Sequence, residues 1–171
     1  MFQCKDRVLY GMHGVCEIVN IETKKISGKA TEYYVLQPID QSGSKYYVPT
    51  QNQNAVAKMQ PILTQEELND ILHSADIHSE IWIDDETQRK QHYCHLISSG
   101  DRAALVRMVH AIHKYKEQLS AAGKRLHMCD DNFLRDAEKL LGAEFSLILN
   151  IGYNDVGNYV KSIIDGKDEK G

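Results

Sequence analysis

The stretch RVLYGMHGVCEIVNIETKKISGKATEYYVL, residues 7–36, decides the fold of the N-terminal part of the chain. Its runs of Val, Ile, Thr and Tyr are typical of β-strands, and Gly11–Gly14 and Ser27–Gly28 interrupt them where a chain turns. Several short strands with tight turns predict a small β-barrel or a strongly bent sheet. The predicted strands are residues 8–10, 15–21, 32–36 and 46–48, with 55–62 as a candidate fifth.

Beyond residue 63 the apolar residues recur at the three- and four-residue spacing of amphipathic helices. Thr64 and Glu67 have the spacing of a capping box, and Asp101 follows a Ser-Gly turn as a candidate N-cap. Asn154 or Asp155 is the candidate N-cap of the last helix. Helices are predicted near residues 64–72, 84–97, 101–119, 133–141 and 156–164.

The change of pattern predicts an α+β protein with two domains, a β domain at 1–63 and an all-helical domain at 64–171. The two parts differ in charge. Residues 1–63 carry seven Lys and Arg against five Asp and Glu, whereas residues 64–171 carry thirteen against nineteen. The acidic second half argues against strong non-specific DNA binding, because neutralised phosphates supply most of that affinity.

Location and redox state follow from what the sequence lacks. No apolar run approaches the length of a membrane span, and the chain does not open with a charged segment followed by an apolar one. We therefore expect a cytoplasmic protein that does not enter a membrane. Cys4, Cys16, Cys94 and Cys129 form no CxxC pair and are expected to be buried, reduced thiols.

The histidines are the first candidates for chemistry. His92 and His95 are three residues apart, as are His110 and His113, and two such helical pairs with Cys94 could bind zinc. Further ligands do not converge on them at fixed spacing, so a His/Cys metal-binding protein is kept only as an alternative. His13 has no Ser or Cys nucleophile at a recognisable spacing. We expect no catalytic site, no cofactor and no metal.

Positive side chains of the helical domain are candidate contacts for DNA phosphates. The alternative interpretation is an ordinary solvated charged surface. The only tryptophan, Trp82, lies between two isoleucines and is expected to pack in the core rather than to stack on bases. The candidate DNA contacts are Arg89, Lys90, Arg107, Lys124 and Arg125.

Residues 8–36, followed by YYVP at 46–49, resemble the opening of CarD-family transcription regulators, which read V-V-Y-P-x-H-G-V-G-x-I, then I-E…I-x-G…E-Y-Y-V-L, then V-x-V-P. LISSGDRAALVRMVHAI, residues 96–112, resembles the family's L-x-x-G-D…V-V-R-x-L segment. LHMCDDNFLRDAEKLLGAEFS, residues 126–146, is similar in length and apolar spacing to its L-S-x-x-E-K-R-M-L helix. The resemblance covers nearly the whole chain in order.

The resemblance implies a bacterial, non-enzymatic factor that binds RNA polymerase. Its N-terminal domain would be a Tudor-like β domain, shared with the transcription-repair coupling factor, that docks on the polymerase β subunit. Its helical domain would contact promoter DNA at the upstream edge of the transcription bubble and modulate the open complex. By position, Lys24 and Tyr47, beside Val48 and Pro49, fall where the family contacts the polymerase.

Three departures from the family pattern bear on this expectation. Tyr47 replaces a basic residue. Asp130-Asp131-Asn132 replaces E-K-R and removes two positive charges, and Glu86 aligns with the family's wedging tryptophan, one helical turn after Trp82. We therefore expect weak, polymerase-dependent contact with promoter DNA, with a polymerase-binding adaptor that lacks DNA contact as the alternative. A monomer is expected, although exposed sheet edges also permit a swapped dimer.

Overall fold

The computed structural model describes residues 1–40 and 43–168. Gln41 and Ser42, in the predicted turn at 40–43, and residues 169–171 lie outside the described residues. The chain divides into two compact units, Met1–Ile62 and Leu63–Gly171, and the division falls one residue from the predicted boundary. We call them the β unit and the helical unit.

The β unit is one antiparallel sheet of five strands. The order across the sheet is β4-β3-β2-β1-β5, so β4 and β5 are the two edges and the sheet is open rather than a closed barrel. A four-residue helix, α1 (Gln53–Val56), occupies the first part of the predicted fifth strand. The strands are β1 (Arg7–Tyr10), β2 (Val15–Ile26), β3 (Lys29–Pro38), β4 (Tyr46–Pro49) and β5 (Met59–Pro61).

The β2–β3 hairpin is longer than its apolar pattern predicts. Its two-residue turn places Ser27 at φ 52° and Gly28 at φ 82°, the left-handed geometry of the turns that match the twist of two paired strands. The ladder therefore continues to Ile26 and Lys29, beyond the apolar core. One face of the sheet buries that core, which includes Val8, Ile18, Leu36, Val48 and Met59.

The helical unit contains α2 (Gln65–Leu72), α3 (Glu86–Ser99), α4 (Arg102–Ala121), α5 (Met128–Leu149) and α6 (Tyr153–Asp168). Thr64 and Glu67 form the predicted capping box, and the Asp101 carboxylate accepts the predicted cap bond from the Ala104 amide. The cap predicted for α6 is wrong, because that helix begins at Tyr153, before both candidate residues.

The core of the helical unit combines apolar side chains with two buried ion pairs. Leu68, Leu105, Met108, Ile112 and Phe145 are among the fully buried residues. In one pair, Glu144 accepts hydrogen bonds from the Arg102 guanidinium at 3.0 and 3.1 Å and from the Leu63 amide at 3.0 Å. A carboxylate that is buried but fully hydrogen-bonded joins α5 to α4 and to the first residue of the unit.

The prediction of buried thiols holds for one cysteine only. Cys16 lies in the β core, whereas Cys4 and Cys94 are exposed and Cys129 is half-buried. Among the described residues, no helix is long and apolar enough to cross a membrane.

Candidate functional site

A β-bulge decides which side chains of β2 face outward. The pairing with β3 shifts between Ile18 and Asn20, so Val19 is an extra residue in the strand. An extra residue reverses the alternation of faces, because successive side chains in a strand point to opposite sides. Before the bulge Cys16 and Ile18 pack in the core; after it Ile21 packs against that core, and Lys24 lies on the opposite face.

The register extends this outer face across three strands. Lys24 pairs with Thr31, Ile26 pairs with Lys29, and Val35, one alternation from Tyr33, pairs with Tyr47 on β4. Paired residues share a face of the sheet, so the side chains of these strands form one surface on the side opposite the core. We call it the outer face, defined by Lys24, Ile26, Lys29, Tyr33 and Tyr47.

The outer face centres on a contact between a cation and an aromatic ring. The Lys24 Nζ lies 3.5 Å from the centroid of the Tyr47 ring and 3.2 Å from the Glu22 carboxylate. Tyr47, and after it Glu22, raise the pKa of Lys24 above its ordinary value, so the ammonium is charged at neutral pH. Tyr33 meets the Tyr47 ring edge-on at 6.4 Å. The surface is therefore positive and aromatic, and its aromatic side chains are of the kind enriched at the centres of protein interfaces, which have polar rims.

Two of the four predicted polymerase contacts come together here, and one is corrected. Lys24 and Tyr47 touch, and the Tyr47 side chain is 42% exposed. Val48 is only 1% exposed and packs in the core, because it alternates with Tyr47 along β4; its side chain cannot reach a partner. Pro49 ends the strand and is half-buried.

The outer face contains a residue that sequence reasoning missed. Ile26 is 57% exposed at the tip of the hairpin, beside Lys29 on the neighbouring strand. The signal for it was a β-branched apolar residue directly before the Ser-Gly turn, where no core remains to bury it. The outer face thus has an apolar anchor between two lysines.

The turn that contains His13 connects the first two strands of the sheet. A 3-10 turn, Gly11–His13, joins β1 to β2, and the Tyr10 amide donates to the Gly14 carbonyl oxygen at 2.9 Å. The His13 ring lies 4.0 Å from the Tyr46 ring and stacks on Tyr10 at 5.4 Å. This histidine packs among aromatic rings, in agreement with a structural role for the turn.

Arg89 is the second corrected site residue. Its side chain is buried, and its guanidinium donates to both Asp130 carboxylate oxygens at 2.8 and 3.0 Å. It also donates to the backbone carbonyl oxygens of Ile83 and Asp84. A guanidinium with its donors used inside the protein does not contact phosphate, so the Arg89–Asp130 pair joins α3 to α5 instead.

The remaining candidate DNA contacts differ in how far their charge is neutralised. Lys90 pairs with Glu86, and Arg107 pairs with Asp76 at 3.3 Å. Lys124 and Arg125 lie exposed in the connection between α4 and α5, and neither forms an ion pair within residues 1–40 and 43–168. These two adjacent cations are therefore the most available positive charge among the five candidates.

Trp82 is half-buried, with its ring stacked on Tyr115 at 3.7 Å and 12°. The Arg89 guanidinium also lies over the indole, 4.3 Å from its centroid. The sequence predicts a core residue, whereas the ring is half-buried between Tyr115 and Arg89.

Four histidines of the helical unit contact other side chains within the protein. His92 contacts Glu80 at 2.8 Å and His113 contacts Glu138 at 2.6 Å, while His110 contacts His78. His95 and Cys94 are exposed on α3. In the part of the chain that the structure describes, no three His, Cys, Asp or Glu side chains are grouped so as to hold a metal ion.

Comparison with protein families gives a match for the β unit. The family model of the CarD-like/TRCF RID domain matches residues 2–63, which is the β unit with its outer face. Among curated proteins nothing matches the chain. The match relates residues 2–63 to domains that interact with RNA polymerase in transcription. Residues 2–63 are a CarD-like RNA polymerase-interacting domain.

Proposed function

We propose that this protein is a bacterial, non-enzymatic transcription regulator that docks on the β subunit of RNA polymerase through the outer face. The helical unit then contacts promoter DNA and modulates formation of the open complex. The observation that carries the proposal is the exposed Lys24–Tyr47 pair on a domain that matches the RNA polymerase-interacting family.

The chemistry of the outer face supports docking on a protein. Tyr47 and Ile26 provide apolar area at the surface, and Lys24 and Lys29 flank them with positive charge. Tyrosines are enriched where interface energy concentrates, and charged residues lie at the polar rim around such centres. The complementary surface on the polymerase is an apolar patch bordered by carboxylates.

Strand β4 supports the same placement. It is an edge of the sheet, so one side of its backbone is not paired with another strand, and Tyr47 lies on it. An edge strand can accept a strand from a partner, with backbone hydrogen bonds giving affinity and side chains giving specificity. Docking at β4 would use the edge and the outer face together.

Contact with DNA is proposed for the connection between α4 and α5. Lys124 and Arg125 are exposed there without an acidic partner in the described parts of the chain. Two phosphate contacts give little affinity to a domain whose net charge is negative. Polymerase would supply the missing affinity, because a tethered second site experiences a high effective concentration.

A second candidate function is a polymerase-binding adaptor that does not contact DNA. The observation in its favour is that most cations of the helical unit are already neutralised. Lys116 and Arg135 share Asp131, Lys161 pairs with Glu117, and Arg89 is buried against Asp130. Such a unit would recruit a protein instead.

The deciding experiment measures binding to an isolated β-lobe fragment of the polymerase. Lys24→Glu reverses a charge at the centre of the outer face and is expected to weaken binding by at least roughly tenfold, or about 1.4 kcal/mol. Tyr47→Asp, which removes the ring and adds a negative charge, is expected to abolish it. Both side chains are exposed, so far-UV circular dichroism should show an intact fold.

Lys25→Glu is the matched control. It makes the same charge change on the neighbouring residue, which is exposed on the opposite side of the β2–β3 ribbon. Its affinity for the lobe is expected to stay close to that of the wild type. Unchanged binding of both Lys24→Glu and Tyr47→Asp would refute docking through the outer face.

A further inference from the structure

The segment between α2 and α3 ends in a stretch without regular structure. Residues 78–85, which we call the strap, begin after Ile77, whose side chain is 2% exposed, and end at Asp85, the N-cap of α3. Between these fixed ends, no residue from Ser79 to Ile83 belongs to a helix or strand. The strap lies on the helices through its side chains and, near its end, through the carbonyl oxygens of Ile83 and Asp84, which accept hydrogen bonds from the Arg89 guanidinium at 2.7 and 3.2 Å.

Alternate residues of the strap contact α3 and α4. The His78 Nδ1 lies 2.8 Å from the His110 Nε2, and the Glu80 carboxylate lies 2.8 Å from the His92 Nε2. Trp82 stacks on Tyr115. Ser79 and Ile81, between them, are exposed, and Ile81 reaches 75% exposure. The strap is thus an extended segment that presents every second side chain to the helices.

Apart from the Arg89 contacts at Trp82, Ile83 and Asp84, the contacts of the strap are weaker than those that hold the helices together. The Glu80–His92 pair is partly solvated, and such pairs contribute little to stability. The helices, by contrast, share buried apolar side chains and two buried Arg–carboxylate pairs. Segments with few buried apolar contacts open locally at a smaller free-energy cost than the global unfolding of a domain.

We propose that the strap is a conformational latch, in which residues 78–82 undock together and expose Trp82 and Tyr115 while the helices stay folded. Ile77 remains in place at one end; at the other, Ile83 and Asp84 stay hydrogen-bonded to Arg89 and Asp85 remains the N-cap of α3. Opening would convert a closed aromatic stack into two rings on the surface of the helical unit. This inference goes beyond the proposed function and does not depend on docking to polymerase.

Native-state proteolysis of the full chain tests the latch. A glutamate-specific endoprotease can cut after Glu80 only when the strap has left the helices, whereas Glu138 becomes accessible only when α5 unfolds. We expect cleavage after Glu80 to be at least roughly tenfold faster than after Glu138, and to depend little on urea below the unfolding transition. Cleavage at both bonds at one rate, with the urea dependence of global unfolding, would overturn the latch.

Tyr115→Ala removes the ring on which Trp82 stacks and should open the strap more often. Loss of an aromatic contact of this kind is expected to raise the rate of cleavage after Glu80 about two- to tenfold. The rate of cleavage after Glu138 should rise less. Lys161→Ala is the control, since it removes an exposed ion pair between α6 and α4 away from the strap. Equal rises at both bonds in Tyr115→Ala would contradict the proposal. If Tyr115→Ala does not fold, the urea dependence of the two cleavage rates in the wild type tests the proposal by itself.

Discussion

Lys24 and Lys25 are neighbours in sequence, yet they lie on opposite sides of one ribbon. The difference arises at Val19, whose bulge inverts the alternation for the rest of β2. Without that extra residue, Lys24 would lie on the core side and Lys25 beside Tyr47. One inserted residue therefore determines which lysine contacts the Tyr47 ring. For this reason Lys24→Glu and Lys25→Glu are expected to differ in their effect on binding to the β-lobe.

Cys16 is a residue whose titration should affect stability. Its thiol is fully buried in the β core, and this burial, with the nearby Asp40 carboxylate, raises its pKa from 9.0 to about 11. The folded state then keeps a proton that the unfolded chain loses above pH 9, so stability falls as pH rises through this window. The Cys16 thiol should also react with alkylating reagents more slowly than the exposed Cys4 and Cys94 thiols.

The measurement is the free energy of unfolding of the wild type and of Cys16→Ala at a series of pH values. The packing cost of removing the thiol group from the core does not vary with pH. The difference between the two proteins should narrow by about 2 kcal/mol from about pH 8 to about pH 10.5. A difference that stays constant over this range would show that the thiolate is not excluded from the core.

At the scale of elements, the packing of α5 on α6 depends on a glycine. A Cβ at Gly142 would lie 2.7 Å from a ring carbon of Tyr153, the first residue of α6. The side chain of Tyr153 fills the space that the glycine leaves. Alanine is the better helix former at such a position by up to about 1 kcal/mol, so its absence here has a steric reason.

A double-mutant cycle separates the steric effect of a Cβ at residue 142 from the gain in helix propensity. Gly142→Ala in the wild type is expected to displace the Tyr153 ring and to lose its helix-propensity gain, with a destabilisation of about 1 kcal/mol. In a Tyr153→Ala background the same change should stabilise by up to about 1 kcal/mol. Thermal unfolding measures both, and equal effects of Gly142→Ala in the two backgrounds would contradict a steric coupling.

Sequence predicted those elements whose signals are local. The Thr64–Glu67 capping box and the Asp101 cap are contacts within one turn, and both helices begin where these residues indicate. Residue positions that depend on distant partners were not predictable. Arg89 was interpreted as a surface cation because α3 has a weak apolar stripe, whereas its burial requires Asp130, 41 residues away. Val48 was misassigned for a related reason, since only the register with β3 fixes its face.

For the whole molecule, the distribution of charge separates the two units by role. The β unit has a small positive balance and an exposed cationic and aromatic face, whereas the helical unit is acidic and pairs most of its own cations. A protein with this distribution has little long-range attraction to DNA. The proposed order of events is therefore docking on polymerase first and contact with DNA second.

The salt dependence of promoter binding in the presence of polymerase distinguishes the regulator from the adaptor. Each phosphate contact contributes about 0.9 to the slope of log K against log salt concentration, so the double variant Lys124→Ala/Arg125→Ala should lower that slope by about 1.8. Lys114→Ala/Lys139→Ala is the control, because these lysines are also exposed without an ion pair in the described residues. An unchanged slope in the first variant would place the DNA contact elsewhere. Docking through the outer face and DNA contact through the α4–α5 connection are separable steps. If the wild-type protein binds the β-lobe but does not increase the affinity of polymerase for the promoter, it is an adaptor rather than a DNA-contacting regulator.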